Sequence, residues 1–562
     1  MKMLKHIKKA FRKTNGKSLK ASAKKKLIYG FDWNKVLQSE RSQWNQIRNS
    51  AKNGTKILIA TSTGGHFAST SVESLLALAL TMRGANVHFL LCDHFLPACL
   101  HALSTSFSDL TEFVNFGPAK SLCDSCFYSG HELYQPLGLP LHRYSKLVTE
   151  NEHQKANNLS KTIPIDSIAN YRNNGIAAGE HAMAGALRFY ACGSLKGEQH
   201  ADAILRRYFK AALLSVYAIR RLFNNFNYEC AVFNHGIYVP QGLIGEVARQ
   251  KNIRVVNWVT AYRKKCFTFS HDDTYHHTMM TEPVDRWENL AWKPEIESQL
   301  MDYLKSRWHG TQDWIWFHEK PQFDLSKITN DLGIDFSKIC IGMLTNVTWD
   351  AQLHYPANAF SNMLEWVLKT ISYFKKRPEL QLLIRVHPAE IRGTIPSRQP
   401  LVNEIKKVFH VVPENVFIIP SESKISTYAA MLQCDSVIIY GTKTGVELTS
   451  MGVPVIVAGE AWIRNKGITH DTASIEEYFA ILDQLPLGTK LADDIVLRAR
   501  KYAFHFFFRR MIPMDFMEPF KNLYKPKINS VDELTPGKSE GLDVICNGIL
   551  KRTDFIYPAE KK

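Results

Sequence analysis

The run SVIIYGTKTGVELTSMGVPVIVA, residues 436–458, reads as strand, loop, helix and strand in quick succession. Val437, Ile438 and Ile439 are consecutive β-branched residues, the pattern of a strand buried on both faces. Gly441, Thr442, Thr444 and Gly445 are small or hydroxylated and open a helix, so backbone N–H groups and the positive end of the helix dipole face whatever lies beyond the strand. A diphosphate suits that position, Lys443 adds a cation, and Glu447, about one turn into the helix, can accept hydrogen bonds from a ribose. An ordinary capped helix start would carry similar residues. Met451-Gly452-Val453-Pro454 then leads into the next strand, over 453–458.

Outward from this run the alternation continues. Ile339 to Leu344, Leu380 to Val386 and Val416 to Ile419 are strand candidates, with a helix from about Ala359 to Phe374. The strand ending at Val386 is followed by His387-Pro388-Ala389-Glu390, which places a histidine and a carboxylate at the C-terminal edge of a parallel sheet, where open α/β sheets bind ligands. An earlier series repeats the pattern. Lys56 to Thr61 (KILIAT) is a buried strand, Ser69 to Arg83 an apolar helix, and Asn86 to Cys92 a second strand. A helix around His200 to Phe223 follows, then short strands at Glu229 to Phe233 and Ile253 to Val259 flanking another helix. The expected fold class is therefore α/β, two Rossmann-like domains facing across a cleft. Residues 1–50 read as a basic N-terminal extension, 51–330 as the first domain with a tryptophan-rich interdomain region (Trp287, Trp292, Trp308, Trp314, Trp316), 331–500 as the second domain, and 501–562 as a returning helix over Tyr502 to Phe520 and a linker-like tail.

In the first series the turn Thr61-Ser62-Thr63-Gly64-Gly65-His66 joins a strand to a helix, an arrangement that suits a phosphate or sugar hydroxyl but also serves as a plain tight turn. It lacks the G-x-G-x-x-G spacing of dinucleotide sites and the lysine of a P-loop, which argues against NAD or ATP. Candidate bases for taking a proton from an acceptor hydroxyl are Glu180, first by a small margin, His66 and Asp93. Asn234-His235-Gly236 follows another strand of this domain and can line an acceptor cleft or form a glycine turn. Cys92, Cys99, Cys123 and Cys126 make a C-x6-C…C-x2-C pattern that can hold a tetrahedral structural zinc or be four ordinary thiols. A closed four-cysteine set leaves no catalytic position, so no catalytic metal is expected. His271, Asp272, Asp273, His276 and His277 are rich in ligand atoms and read first as a solvated loop.

Residues 436–458 resemble the donor half of GT-B glycosyltransferases. His387-Pro388 resembles the His-Pro element of capsule-synthesis, Kdo-transferase and bacterial sialyltransferase-like groups, and Thr63-Gly64-Gly65-His66 is similar to the N-terminal loop of the lipid-linked peptidoglycan N-acetylglucosaminyltransferase. The resemblance touches both halves at the level of motifs. It implies a nucleotide-sugar donor, with His387 on the donor phosphates, Thr442, Thr444 and Gly445 lining the phosphate loop and Glu447 on the ribose; by their own positions Lys443 and Glu390 join the same candidate donor site. No separate acidic base motif of the CMP-sugar groups is matched, which leaves the donor nucleotide open. The implied activity is transfer of a sugar to a surface polysaccharide or lipid-linked glycan precursor of capsule or lipopolysaccharide type. A teichoic-acid-type polyol-phosphate transferase and a non-catalytic GT-B-like binding subunit are the alternatives.

Composition bounds the setting. The chain has 562 residues, 45% hydrophobic, enough for two cores. Its formal charge of +17 owes much to Lys2 through Lys26, a segment with no acid. Met1, Leu4, Ile7, Phe11 and Leu19 interrupt those lysines, as in a weak amphipathic helix on anionic lipid or a solvated basic tail. No zinc-finger, RNA-recognition or helix-turn-helix signature accompanies the charge, so nucleic acid is not an expected partner. No apolar run is long enough to span a membrane, the basic start lacks a signal-peptide core, and ten scattered cysteines fit a reducing compartment. The expected location is cytoplasmic, peripheral at the inner face of the membrane.

Overall fold

The computed structural model describes residues 31–314, 321–351, 353, 357–488, 490–520 and 523–561. The basic segment Lys2 to Lys26 and Trp316 lie outside the described residues. The first half contributes strands β1 (Lys56–Ser62), β2 (Asn86–Leu91), β3 (Leu141–Arg143), β4 (Cys230–Asn234), β5 (Arg254–Thr260) and β6 (Cys266–His271). The second contributes β7 (Cys340–Leu344), β8 (Gln381–Arg385), β9 (Val416–Ile419), β10 (Ser436–Ile439), β11 (Val455–Val457) and β12 (His470–Asp471), and the chain then returns with β13 (Ile512–Pro513). The first sheet runs β13-β6-β5-β4-β1-β2-β3 and the second β12-β11-β10-β7-β8-β9. Within the first sheet β3, β2, β1, β4 and β5 are parallel, while β6 and β13 add antiparallel edges. The second sheet is parallel throughout.

Both sheets reverse direction of growth once, between β1 and β4 and between β7 and β10. Such switch points open a crevice at the C-terminal ends of the strands. The first lies between Thr63-Gly64-Gly65-His66 and Asn234-His235-Gly236, the second between Thr345-Asn346 and Tyr440-Gly441-Thr442-Lys443. The two crevices face each other, and the fold is the expected pair of Rossmann-like domains across a cleft, the GT-B architecture.

The helix Phe67–Met82 is buried along almost its whole length, its polar residues Ser69, Thr70, Glu73 and Ser74 included, and the helices Arg41–Ser50, Lys120–Tyr134 and Glu540–Lys551 close over it. Two expectations change here. Residues 31–50 are part of the first domain: Trp33 and Trp44 are buried, donating to Ser74 Oγ (3.0 Å) and Leu137 O (2.9 Å). The tail beyond Lys525 is no linker either, since Leu542, Ile545, Cys546 and Ile549 bury one face of its helix in the same core. The returning helix lies earlier than the expected Tyr502 to Phe520, a stretch that is helical only up to Arg509. It spans Asp493–Phe504, widens into a π turn over His505–Arg509, and gives way to β13.

Candidate functional site

On the second domain, the loop after β10 is held from both sides. The Gly441 amide donates to Asn346 Oδ1 across the switch point (3.3 Å), and the Thr444 amide to Thr442 Oγ1 (3.4 Å). Lys443 Nζ reaches Glu447 Oε1 (3.0 Å) and sits 4.7 Å from the centroid of the Tyr262 ring, a first-domain residue after β5. Glu447 is buried rather than open to the cleft. Its Oε2 accepts from the Tyr428 hydroxyl (2.5 Å) and lies 3.0 Å from Arg307 Nε. Burial alone would raise its pKa, but Arg307 and Lys443 outweigh it and hold the carboxyl near 2. A ribose would reach this carboxylate only by replacing one of those partners. What Glu447 does in this structure is fix Lys443 beside the loop.

His387 follows β8 directly. Its amide donates to Thr345 Oγ1 (3.1 Å), and its Nδ1 accepts from the Ala389 amide (3.0 Å). An occupied Nδ1 assigns the proton of the neutral ring to Nε2, which makes the outer nitrogen a donor. Glu390 is turned elsewhere. Its buried Oε1 accepts from the Leu401 amide (2.7 Å) at the start of the helix Leu401–Val408, and burial raises its pKa.

On the first domain, Gly64 lies flush against the helix Lys120–Tyr134. A Cβ there would stand 2.1 Å from Cys126 O and 2.7 Å from Gly130 N, both backbone atoms that cannot swing away. Gly64→Ala is therefore expected to destabilise the fold by about 1–3 kcal/mol, read as a lower midpoint in urea unfolding. An unchanged midpoint would mean the turn moves freely. The Gly65 amide donates to Cys126 Sγ (3.1 Å), and His66 Nδ1 shares a hydrogen bond with Ser69 Oγ. Burial and Arg188 lower the His66 pKa to about 4, so the ring is neutral.

Cys92, Cys99, Cys123 and Cys126 do meet, lining one cavity of about 20 Å³ with Thr63, His94 and His101. All four thiols are pushed up by burial, Cys92 to about 12 and Cys99 and Cys123 to about 11. Among the described residues no group of three or more His, Cys, Asp or Glu stands in metal-holding geometry.

Of the other two base candidates, Asp93 accepts from the Ser145 amide (3.1 Å) and hydroxyl (2.5 Å), tying down the turn after β3. Glu180 opens the helix Ala178–Tyr190 and shares a face with Ala184 and Arg188, one and two turns on. That face looks into the cleft. Ala184 packs with Leu100, Ile237 and Tyr238 against Ala351 and Leu353 of the second domain, and the Arg188 guanidinium lies 4.9 Å from the Tyr238 ring and 5.8 Å from that of Trp349. Asn234 is structural, its amide bound to Thr61 Oγ1 (2.8 Å) and its Nδ2 to Trp258 O (3.0 Å), whereas His235 takes a left-handed backbone (φ 66°) and stacks on Tyr238.

Contacts across the cleft involve residues the sequence did not single out. The Tyr238 hydroxyl donates to Asp350 Oδ1 (2.8 Å) and accepts from the Ala351 amide (2.9 Å), while the Gly193 amide donates to Gln399 Oε1 (2.8 Å). The run from His271 to His277 is no solvated loop. His277 Nδ1 pairs with Asp273 Oδ2 (2.9 Å), and its Nε2 lies 3.1 Å from Glu460 Oε2 of the second domain. Burial lowers its pKa, but the two carboxylates prevail and raise it to about 9. A raised histidine stabilises fully below its unfolded value of 6.5 and loses that contribution as pH rises through about 9. Thermal unfolding followed from pH 6 to 10 should show this loss, and Glu460→Gln should shrink it. Equal slopes in the two proteins would rule out the clasp. The signal that could have found Tyr238, Asp350 and Glu460 is positional, since each follows the C-terminal end of a parallel strand.

No protein-family model matches the sequence, and no curated protein matches it. Among solved structures, the chain is similar to the β-Kdo 2,4 transferase KpsC of Thermosulfurimonas dismutans, with 12% identity and a TM-score of 0.33 over 55% of this chain and 87% of that one. It is also similar to the UDP-GlcNAc 2-epimerase of Neisseria meningitidis bound to UDP-GlcNAc (12% identity, TM-score 0.24, 80% and 94% covered). A third likeness is to a family 9 glycosyl transferase of Veillonella parvula (10% identity, TM-score 0.19, 80% and 97% covered).

Proposed function

We propose that the chain is a glycosyltransferase that holds a nucleotide-sugar on its second domain and passes the sugar to a glycan or lipid-linked acceptor on its first, in the assembly of a capsule- or lipopolysaccharide-type surface polymer. The observation that carries this reading is the facing of two switch-point crevices, one bearing a histidine donor and a hydroxyl-glycine loop, the other a glycine turn with acid and imidazole candidates. Negative charge grows on the nucleotide phosphate as the glycosidic bond breaks. His387 Nε2–H, Lys443 and the loop amides are the groups to stabilise it. Glu180, or His66 as a neutral imidazole, would take the acceptor proton. The basic segment Lys2 to Lys26 would hold the protein at an anionic membrane surface, where lipid-linked acceptors lie. Among the described residues no helix is long and apolar enough to cross a membrane.

The test is thermal unfolding of the purified protein with CMP, UDP, GDP, TDP or CDP, repeated in Thr442→Val and Thr444→Val, which remove the loop hydroxyls that would hold the bound nucleotide. A ligand at a hundred times its dissociation constant stabilises by about 2.7 kcal/mol. One nucleotide should shift the wild type and neither variant. No shift with any nucleotide, or a shift that survives both substitutions, would overturn the donor site.

A further inference from the structure

The first-domain floor of the cleft gathers one cation and several imidazoles. Arg188 donates through Nε to Leu100 O (3.3 Å), and among the described residues its terminal nitrogens find no hydrogen-bond acceptor and it forms no ion pair. Tyr238 and Trp349 flank the guanidinium, which fixes its planar fork. Around it stand His66, His101 and His235. His101 Nε2 and His235 Nδ1 are buried without a partner, as is Gln241 Oε1, whose own Nε2 donates to Thr63 Oγ1 (3.4 Å). His101 Nε2 points at the glycine turn, 3.4 Å from where a Cβ on Gly65 would stand.

Buried polar atoms are ordinarily satisfied, so unpartnered ones around a fixed guanidinium point to a polar ligand. A neutral hydroxyl would leave the arginine uncompensated. A carboxylate or phosphate would pair with its fork and accept from the imidazole N–H groups. We propose that this floor is an anion subsite, and that the acceptor carries a carboxylate or phosphate close to the hydroxyl that is glycosylated. The assignment to the acceptor rests on the glycosyltransferase reading; the anion chemistry rests on Arg188 and its neighbours alone. A neutral imidazole carries one N–H, so the unpartnered nitrogens of His101 and His235 can each turn a donor toward such an anion. Asp350, an acid of the facing domain, accepts from the Tyr238 hydroxyl.

The experiment is calorimetric titration of the full chain with inorganic phosphate, glucuronate and, as a neutral control, glucose. At least one anion should bind where glucose does not, and Arg188→Met should weaken it about tenfold or more. Arg188→Lys, which keeps the charge, should retain part of the affinity, and its circular dichroism together with that of Arg188→Met separates lost binding from lost folding. His387→Ala should bind the anion as the wild type does. Phosphate alone, glucuronate alone or both would each support the subsite and name the acidic group. No anion binding, binding indifferent to Arg188, or binding lost in His387→Ala instead would overturn it. Nucleotide shifts keep the two readings apart: Arg188→Met should show the same nucleotide shift as the wild type, and a wild type that binds an anion but shifts with no nucleotide sinks the transferase reading and leaves the anion site standing.

Discussion

Arg307→Met is expected to destabilise the protein by about 3–5 kcal/mol, the largest stability effect of any single side chain considered. Arg307 sits at the end of the helix Pro294–Arg307, buried, with its Nη1 bound to the Tyr303 oxygen (2.9 Å) and to Asp313, and its Nε beside Glu447 of the second domain. The rings of Phe507, Tyr262 and Tyr303 enclose the guanidinium at 5.1 to 5.7 Å. Removing the cation leaves buried Asp313 with the Tyr303 hydroxyl and, among the described residues, no cation, and leaves Glu447 with Lys443 and the Tyr428 hydroxyl alone, which costs far more than the intact pair contributes. Urea unfolding followed by tryptophan fluorescence checks it. The double variant with Glu447→Gln should fall short of the sum of the singles, because it removes an anion along with the cation. The acid dependence has a definite sign. Glu447 is held near 2 against an ordinary 4.5, so its contribution is present above 4.5 and lost as pH falls towards 2. The gap between wild type and Arg307→Met should close over that window. A variant within about 1 kcal/mol of wild type would mean that the network behaves like a surface pair.

The parallel cores of both domains were legible in the sequence because they are locally coded. β1, β2, β4 and β5 and then β7 to β11 are short apolar runs, most of them followed by glycine or hydroxylated residues, and such runs need no knowledge of their neighbours. The edges were not. Ile512–Pro513 becomes a strand only because β6 offers it a partner, and Leu141–Arg143 only because it follows Pro140 alongside β2. Trp33 and Trp44 sit among charged residues that read as a tail, and their burial depends on a helix and a turn 40 to 90 positions away. The site divides in the same way. His387 and the loop from Gly441 to Gly445 announce themselves by following strands. Arg188, His101 and Asp350 belong to three segments with no shared pattern and acquire a common role only when the switch points bring those segments together. Glu447 is the instructive case. Its position in the helix was readable, but its burial against Arg307 was not, because that arginine arrives from 140 residues upstream in the chain.

His387→Ala is expected to lower kcat for sugar transfer about 10²–10³-fold while changing the donor KM far less. The reason lies in when charge appears. Under the proposed reading the bound diphosphate would already be anionic and served by the loop amides and Lys443, so one more donor would add little. As the bond to the sugar breaks, charge concentrates on the departing phosphate oxygen, and a donor already aimed there gains strength without having to reorganise. The Ala389 amide holds His387 Nδ1 and leaves the proton of the neutral ring on Nε2, which would make the outer nitrogen that donor. His387→Gln, which keeps an N–H donor at similar reach, should recover part of the rate. Glu390→Gln should leave kcat near wild type and act on stability alone, since its carboxylate caps the helix Leu401–Val408. The pattern of kinetic constants separates the possibilities. A large rise in KM with kcat intact would make His387 a ground-state anchor, and wild-type values for both would remove it from the chemistry, leaving Lys443 and the loop amides to carry the leaving group unaided.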